Sequence, residues 1–138
     1  MTENFSFSSF TEVLFENVCI DLHNNYEFKK VIFESSGDLV IRFEKLNEEW
    51  VQDDQFEIVE FRCSGVQYLK ISFDSKLTDE SKTLAMVGVY SSEDREHNDR
   101  FYDYWRSNSE GDLLLNFEDD SFIRTKTDEI RIQVEKSR

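Results

Sequence analysis

The 138-residue chain has no proline, four glycines and two cysteines. With glycine only at 37, 65, 88 and 111, it carries no Pro-rich linker and no low-complexity tract. The same scarcity excludes a phosphate-cradling G-x-x-x-x-G-K loop and a G-x-G-x-x-G dinucleotide turn. A G-x-S-x-G nucleophile elbow is missing as well. So are C-x-x-C and H-E-x-x-H, and with them the familiar zinc-site spacings. No stretch approaches the ~18 apolar residues of a membrane span. The first ten residues, "MTENFSFSSF", lack a basic n-region, a long apolar run and a small-residue cleavage site. Cys19 and Cys63 could form one bridge but are too few for a disulfide framework, and read as isolated side chains of the kind usually buried. Together these absences point to a cytoplasmic chain with no recognisable catalytic motif and no cofactor.

Basic residues are also in short supply. Sixteen Lys and Arg face thirty Asp and Glu, a formal charge of −14. Such a surface repels phosphate backbones and anionic lipid, which argues against nucleic acid and membrane surfaces as partners. It attracts cationic proteins, although acidity also serves plain solubility.

What is abundant is aromatic. Thirteen Phe, five Tyr and two Trp each bring roughly 150–250 Å² of surface to bury, enough for the core of a single domain spanning residues 1–138. The segment "SFTEVLFENV" has Ser9 and Glu12 at capping-box spacing, with Phe10, Val13, Leu14 and Val18 at helical spacing, which predicts a helix over 9–18. Beyond it the period changes to two. "FKKVIFE" and "LVIRFE" flank "SSGD" and predict a hairpin turning at Gly37. "FEIVEFRC", "SG" and "VQYLKISF" predict a second hairpin turning at Gly65, followed by a polar loop, "DSKLTDESK". "TLAMVGVY" predicts a strand covered on both faces, and "DLLLNFE", "SFIRTK" and "EIRIQVE" predict three more. Residues 92–106 fit either a helix or a strand, the ring content favouring a strand paired with "DLLLNF". The expected fold is α+β and mostly β: an antiparallel sandwich or partly open barrel of about eight strands with an N-terminal helix.

Few side chains suggest chemistry. His97 stands among Glu93, Asp94, Glu96 and Asp99, but the ligand alternation and hinge glycine of a calcium loop are absent, so a solvated loop is expected. His23 has no visible acid–base partner and suits a turn. Among thirty acids, a glycosidase-like carboxylate pair carries no information.

The acidic runs say more. "NEEWVQDDQFEIVE" has six acids and no base around Trp50, and "EGDLLLNFEDD" has five acids and no base. "RTKTDEIRIQVEKSR" has five bases against three acids, so positive charge gathers in the last strand. Rings set among carboxylates suit a protein-binding surface, in which aromatic anchors supply affinity and charges select the partner. The candidate partner-binding residues are Glu48, Glu49, Trp50, Asp53, Asp54, Glu93, Asp94, Glu96, Asp99, Tyr102, Asp103, Tyr104, Trp105, Asp119 and Asp120. Within "FYDYWR", at least one of Tyr102, Tyr104 and Trp105 is expected at the surface.

Three segments, "LHNNYEFKKVIFESSGDLVIRFE", "EIVEFRCSGVQYLKIS" and "LLLNFEDDSFIRTKTDEIRIQVE", resemble a group of small bacterial β-rich proteins. Many of these look like immunity proteins of polymorphic toxin systems. The resemblance spans about half the chain. It departs from the group at His23-Asn24-Asn25, where His-Asp is usual, and at Asp119-Asp120-Ser121, where a glycine is usual. It implies a role and no catalytic residues: stoichiometric occlusion of a basic toxin, for instance a nuclease-type domain whose phosphate surface an acidic protein imitates. The alternative is a small barrel holding an apolar ligand in an aromatic-lined cavity.

Overall fold

The computed structural model describes residues 2–51, 55–73, 78–92, 95 and 111–136. The main sheet has seven strands, with spatial order β5 (Tyr26–Phe33), β6 (Leu39–Lys45), β7 (Ile58–Ser72), β10 (Phe122–Glu135), β9 (Gly111–Phe117) and β8 (Leu84–Ser91). These six pair antiparallel. The seventh, β1 (Thr2–Glu3), runs parallel to β10 at Glu129–Ile130, so β10 shares one edge between β9 and β1. Asn4 extends that ladder with its side chain: its Oδ1 accepts from Ile132 N at 2.7 Å and its Nδ2 donates to Ile132 O at 3.1 Å.

Alternation puts Leu39, Ile41 and Phe43 of β6 in register with Cys63, Phe61 and Val59 of β7, and those with Ile130, Ile132 and Val134 of β10. All but Val134 are buried. The inner face is thus built from rows of apolar side chains running across the strands. The sheet curls into a half-barrel. Phe28 on β5 and Phe117 on β9 lie on opposite sides of three intervening strands, yet their ring centroids are 5.1 Å apart. Phe73 lies 5.5 Å from Phe28 and 5.6 Å from Phe117 and completes this seam.

A small sheet of β2 (Ser6–Phe7), β3 (Glu12–Phe15) and β4 (Val18–Asp21) covers part of the interior. Phe5 meets Phe61 edge-on at 5.6 Å, and Phe15 meets Phe56 at 6.2 Å. Val87 N donates to Phe10 O at 2.7 Å, tying the small sheet to β8.

The helix expected over 9–18 is therefore replaced by a hairpin. Val13 and Phe15 point inward at 0% and 7% exposure, while Leu14 is 40% exposed, which is strand alternation. Glu16 and Asn17 hold φ of 49° and 65°, the two positive values a tight two-residue hairpin turn requires. Ser9 Oγ accepts from Thr11 N within its own turn at 3.3 Å, so it does not cap a helix. Among the described residues the one helix, α1, is the short Asp79–Lys82, inside the segment expected as a loop.

The second expected hairpin is also replaced. Gly65 bends a single 15-residue strand, β7, and does not reverse it. Facing it, β10 shifts register between Lys126 and Thr127, and Asp128 folds over the glycine. Gly65 has φ +67°, and a Cβ there would stand 2.2 Å from Asp128 Oδ2. Gly65→Ala should therefore cost about 1–2 kcal/mol for the left-handed backbone, plus the displacement of Asp128. Gly37 (φ +91°) has open space where its Cβ would be, so Gly37→Ala shows the backbone cost alone. Urea midpoints of both variants, and of Gly65→Ala with Asp128→Ala, separate the two contributions. Equal losses at Gly65 and Gly37 would show that the Asp128 contact costs nothing.

Candidate functional site

One end of the half-barrel collects four short segments. The first is the turn after β4. Asp21 Oδ1 accepts from His23 N at 3.2 Å and Asn24 N at 3.0 Å, while Asn24 Nδ2 donates to Asp21 Oδ2 at 2.8 Å. This side-chain-closed turn is the local structure that Asp favours. The second is the loop after β6, fastened where Leu46 N donates to Asn25 O at 2.8 Å. Val51 is buried and its N–H closes a turn on Glu48 O at 3.1 Å, which leaves Glu48, Glu49 and Trp50 on the outside.

Trp50 is 62% exposed, the most exposed of the large hydrophobic residues described. Its ring is nevertheless held: Nε1 donates to Asn24 O at 2.9 Å. The fixed ring surrenders little side-chain entropy when a partner covers it. Trp50 is thus both exposed and anchored.

His23 joins the first segment to the other two. Its Nδ1 lies 2.7 Å from Leu84 O and 3.5 Å from Glu118 Oε1. Glu118 opens the turn between β9 and β10, where Asp120 takes a positive φ of 68° and Asp119 Oδ1 accepts from Ser121 N at 3.0 Å. The fourth segment is α1, whose Ser81 Oγ donates to Asp119 Oδ2. Slight burial pushes the Asp119 carboxyl up, but the hydrogen bonds from Ser81 and Ser121 outweigh it and hold the group below its ordinary value.

The structure thus brings Glu48, Glu49 and Trp50 into one hydrogen-bonded neighbourhood with Asp119 and Asp120, although some 70 residues separate them in sequence. Asp21, Glu118, Asp79 and Glu80 join them. Across residues 21–25, 46–51, 78–82 and 118–121 that makes eight acids, against Lys82 and His23 as the basic side chains. Asp21, His23 and Ser81, which hold the segments together, carried no binding signal in sequence beyond the suitability of His23 for a turn. Asp53, Asp54, Glu93, Asp94, Glu96, Asp99, Tyr102, Asp103, Tyr104 and Trp105 lie outside the described residues, as does the expectation for residues 101–106.

Other chemistry is sparse. Cys63 is buried and its thiol is pushed up to about 12, mainly by desolvation. Cys19, contrary to the burial expected, is exposed, and its thiol donates to Glu12 Oε2 at 2.9 Å, which raises it. Neither environment favours the thiolate a nucleophile needs. Among the described residues no group of His, Cys, Asp and Glu is placed to hold a metal ion. No described helix is long and apolar enough to cross a membrane. Compared with known proteins, the chain matches no family model, no curated protein and no solved structure.

Proposed function

We propose that this protein binds a basic protein partner through the acidic end that surrounds Trp50, and acts by occlusion without chemistry of its own. The observation that carries this reading is an exposed tryptophan, fixed by its own ring N–H, within a neighbourhood of eight carboxylates. Aromatic anchors of this kind supply affinity, and a one-signed surface around them steers encounter and selects the partner. The immunity-type resemblance names the kind of partner: a cationic toxin whose phosphate-binding surface the carboxylates imitate. The apolar-ligand reading gains less support. Phe28, Phe43, Phe61, Phe73 and Phe117 contact one another at centroid separations of 5.1–6.2 Å, and so fill interior space with their own rings.

The test is a pull-down from the source cell and binding to the product of the neighbouring gene, followed by biolayer interferometry at low and moderate salt. Trp50→Ala should weaken binding by about thirtyfold, chiefly through faster dissociation. Reversing both Glu48 and Glu49 to lysine should slow association and flatten its salt dependence. Absence of binding at either salt concentration overturns the partner. Binding untouched by both variants overturns the face.

A further inference from the structure

The outer face of the main sheet carries a second, opposite feature. Arg62 on β7 and Arg131 on β10 are directly paired across the two strands. Like charges placed opposite one another are destabilising, and Cβ atoms of such a pair stand only about 5 Å apart. In a chain of charge −14, the placement calls for a compensating group. Arg62 has its own: its guanidinium pairs with Glu34 and, at 3.4 Å, with Glu60, which also holds Arg42 at 2.7 Å. Arg131 does not share this network. Its side chain is 62% exposed and reaches Glu129 only at 3.6 Å.

The two arginines line a cleft of about 320 Å³ together with Asn4, Asp38, Ser64 and Gln133. That volume is at the lower end of small-molecule sites, which run from roughly 300 Å³ upward. Asn4 is committed to the Ile132 backbone and shapes the floor. The side chains of Asp38, Ser64 and Gln133 have no hydrogen-bond or ion-pair partner among the described residues, so their polar groups are available to a ligand. With Arg62 neutralised, the cleft offers the exposed Arg131 guanidinium, held only by Glu129 at 3.6 Å, together with the Asp38 carboxylate and two neutral polar groups.

We propose that this cleft binds a small zwitterion of the amino-acid class. Its carboxylate pairs with Arg131, whose planar fork matches a carboxylate in two parallel hydrogen bonds. Its ammonium pairs with Asp38, and Ser64 and Gln133 bond the remaining polar atoms. The charge of the lining selects this class: a phosphate dianion would meet Arg131 but also face Asp38, whereas a zwitterion offers a carboxylate to Arg131 and an ammonium to Asp38. The site is separate from the acidic end around Trp50 and does not depend on its role.

Saturation-transfer NMR against mixtures of the twenty proteinogenic amino acids at millimolar concentration tests this, with hits titrated calorimetrically. At least one amino acid should bind. N-acetylation of that hit, which removes the ammonium, and amidation of its carboxylate should each weaken binding by about tenfold or more. Arg131→Ala and Asp38→Asn should do the same, while Lys29→Ala on the far edge strand should not. The ligand analogues need no protein variant, so they decide the matter even if a variant folds poorly. Absence of transfer from every amino acid overturns the proposal, as does binding insensitive to both ligand modifications. Inorganic phosphate binding as tightly as the hit would also overturn it, because the cleft would then be reading negative charge alone.

Discussion

Asp112→Ala should lower the stability of this protein by about 3–5 kcal/mol, the cost of removing the carboxylate that neutralises a buried guanidinium. Asp112 on β9 and Arg124 on β10 are both fully buried, and Arg124 Nε donates to Asp112 Oδ2 at 2.8 Å. Arg95 adds Nε at 3.0 Å and Nη2 at 3.1 Å, and Ser92 Oγ adds a bond at 2.9 Å. The Arg95 guanidinium also stacks 3.8 Å above the Tyr68 ring. Removing the carboxylate leaves two guanidiniums facing its place, one of them with no access to water. A domain of this size has only about 5–15 kcal/mol in hand, so the loss is large. The urea midpoint measures it. Replacing the pair together, Asp112→Leu with Arg124→Met, should recover most of the loss, because a buried ion pair contributes little net against an apolar pair of similar volume. A single variant as stable as wild type would show that the pair is not closed to water.

The same group makes a prediction about acid. Burial pushes the Asp112 carboxyl up, but the hydrogen bonds from Arg95, Arg124 and Ser92 outweigh it and hold the folded-state value below the ordinary one. A depressed carboxylate stabilises the fold above its unfolded value, about pH 4, and that stability drains away as pH falls through the lower folded value. The gap between wild type and Asp112→Asn should therefore be constant from neutral pH down to about pH 4 and close below it. A gap that widened with acid would have the wrong sign and would rule out this assignment.

How much of this could be read in the sequence depends on what each residue's neighbours reveal. The Gly37 hairpin was legible because turn and flanking alternation agree locally: Gly37 N donates to Glu34 O at 2.9 Å, and Leu39, Ile41 and Phe43 face the core. Gly65 is ambiguous in the sequence because a positive-φ glycine serves equally as a turn or as a bend within a strand. The distinguishing signal was parity. Val59, Phe61, Cys63, Leu69, Ile71 and Phe73 all stand at odd positions, as they would along one continuous strand. In β10 the apolar parity changes between Ile123 and Ile130, on either side of the register shift between Lys126 and Thr127, so "SFIRTK" and "EIRIQVE", expected as two strands, are one.

The N-terminal helix failed for a related reason. Phe10, Val13, Leu14 and Val18 match helical spacing only if Phe10 and Leu14 are core residues, and both are exposed. At the candidate site, the Trp50 loop and the Asp119–Asp120 turn were each legible as acidic runs. Their union was not, since it rests on His23 touching Leu84 and Glu118 across 61 and 95 positions of sequence. Asp112 belongs to one of those runs but faces Arg124 in the interior of the fold. Charge counting cannot distinguish a carboxylate that meets solvent from one that meets a buried arginine.

Phe117→Ala should cost about 3–5 kcal/mol, the range for deleting a fully packed ring. Phe117 is 1% exposed and contacts Phe28 and Phe73, the rings through which the curled sheet meets itself. Phe33→Ala, at 57% exposure on the edge strand, should stay within about 0.5 kcal/mol, because little of that ring leaves water on folding. The two variants remove the same atoms, so the difference between them isolates the seam. Hydrogen exchange should show where it acts. Amides of β5 and β8, the outer members of the sheet order, should exchange faster in Phe117→Ala, while β7 and β10, paired along most of their length, should change less. Equal stability losses at Phe117 and Phe33 would mean that the sheet does not close on itself. Phe117 also immediately precedes Glu118, Asp119 and Asp120, and its N–H donates to Ser121 O at 2.8 Å. The cavity left by Phe117→Ala lies at the base of that turn. Loosening there would reach His23 and the Asn24 carbonyl that holds Trp50, so the seam that stabilises the fold also sets the rigidity of the acidic end.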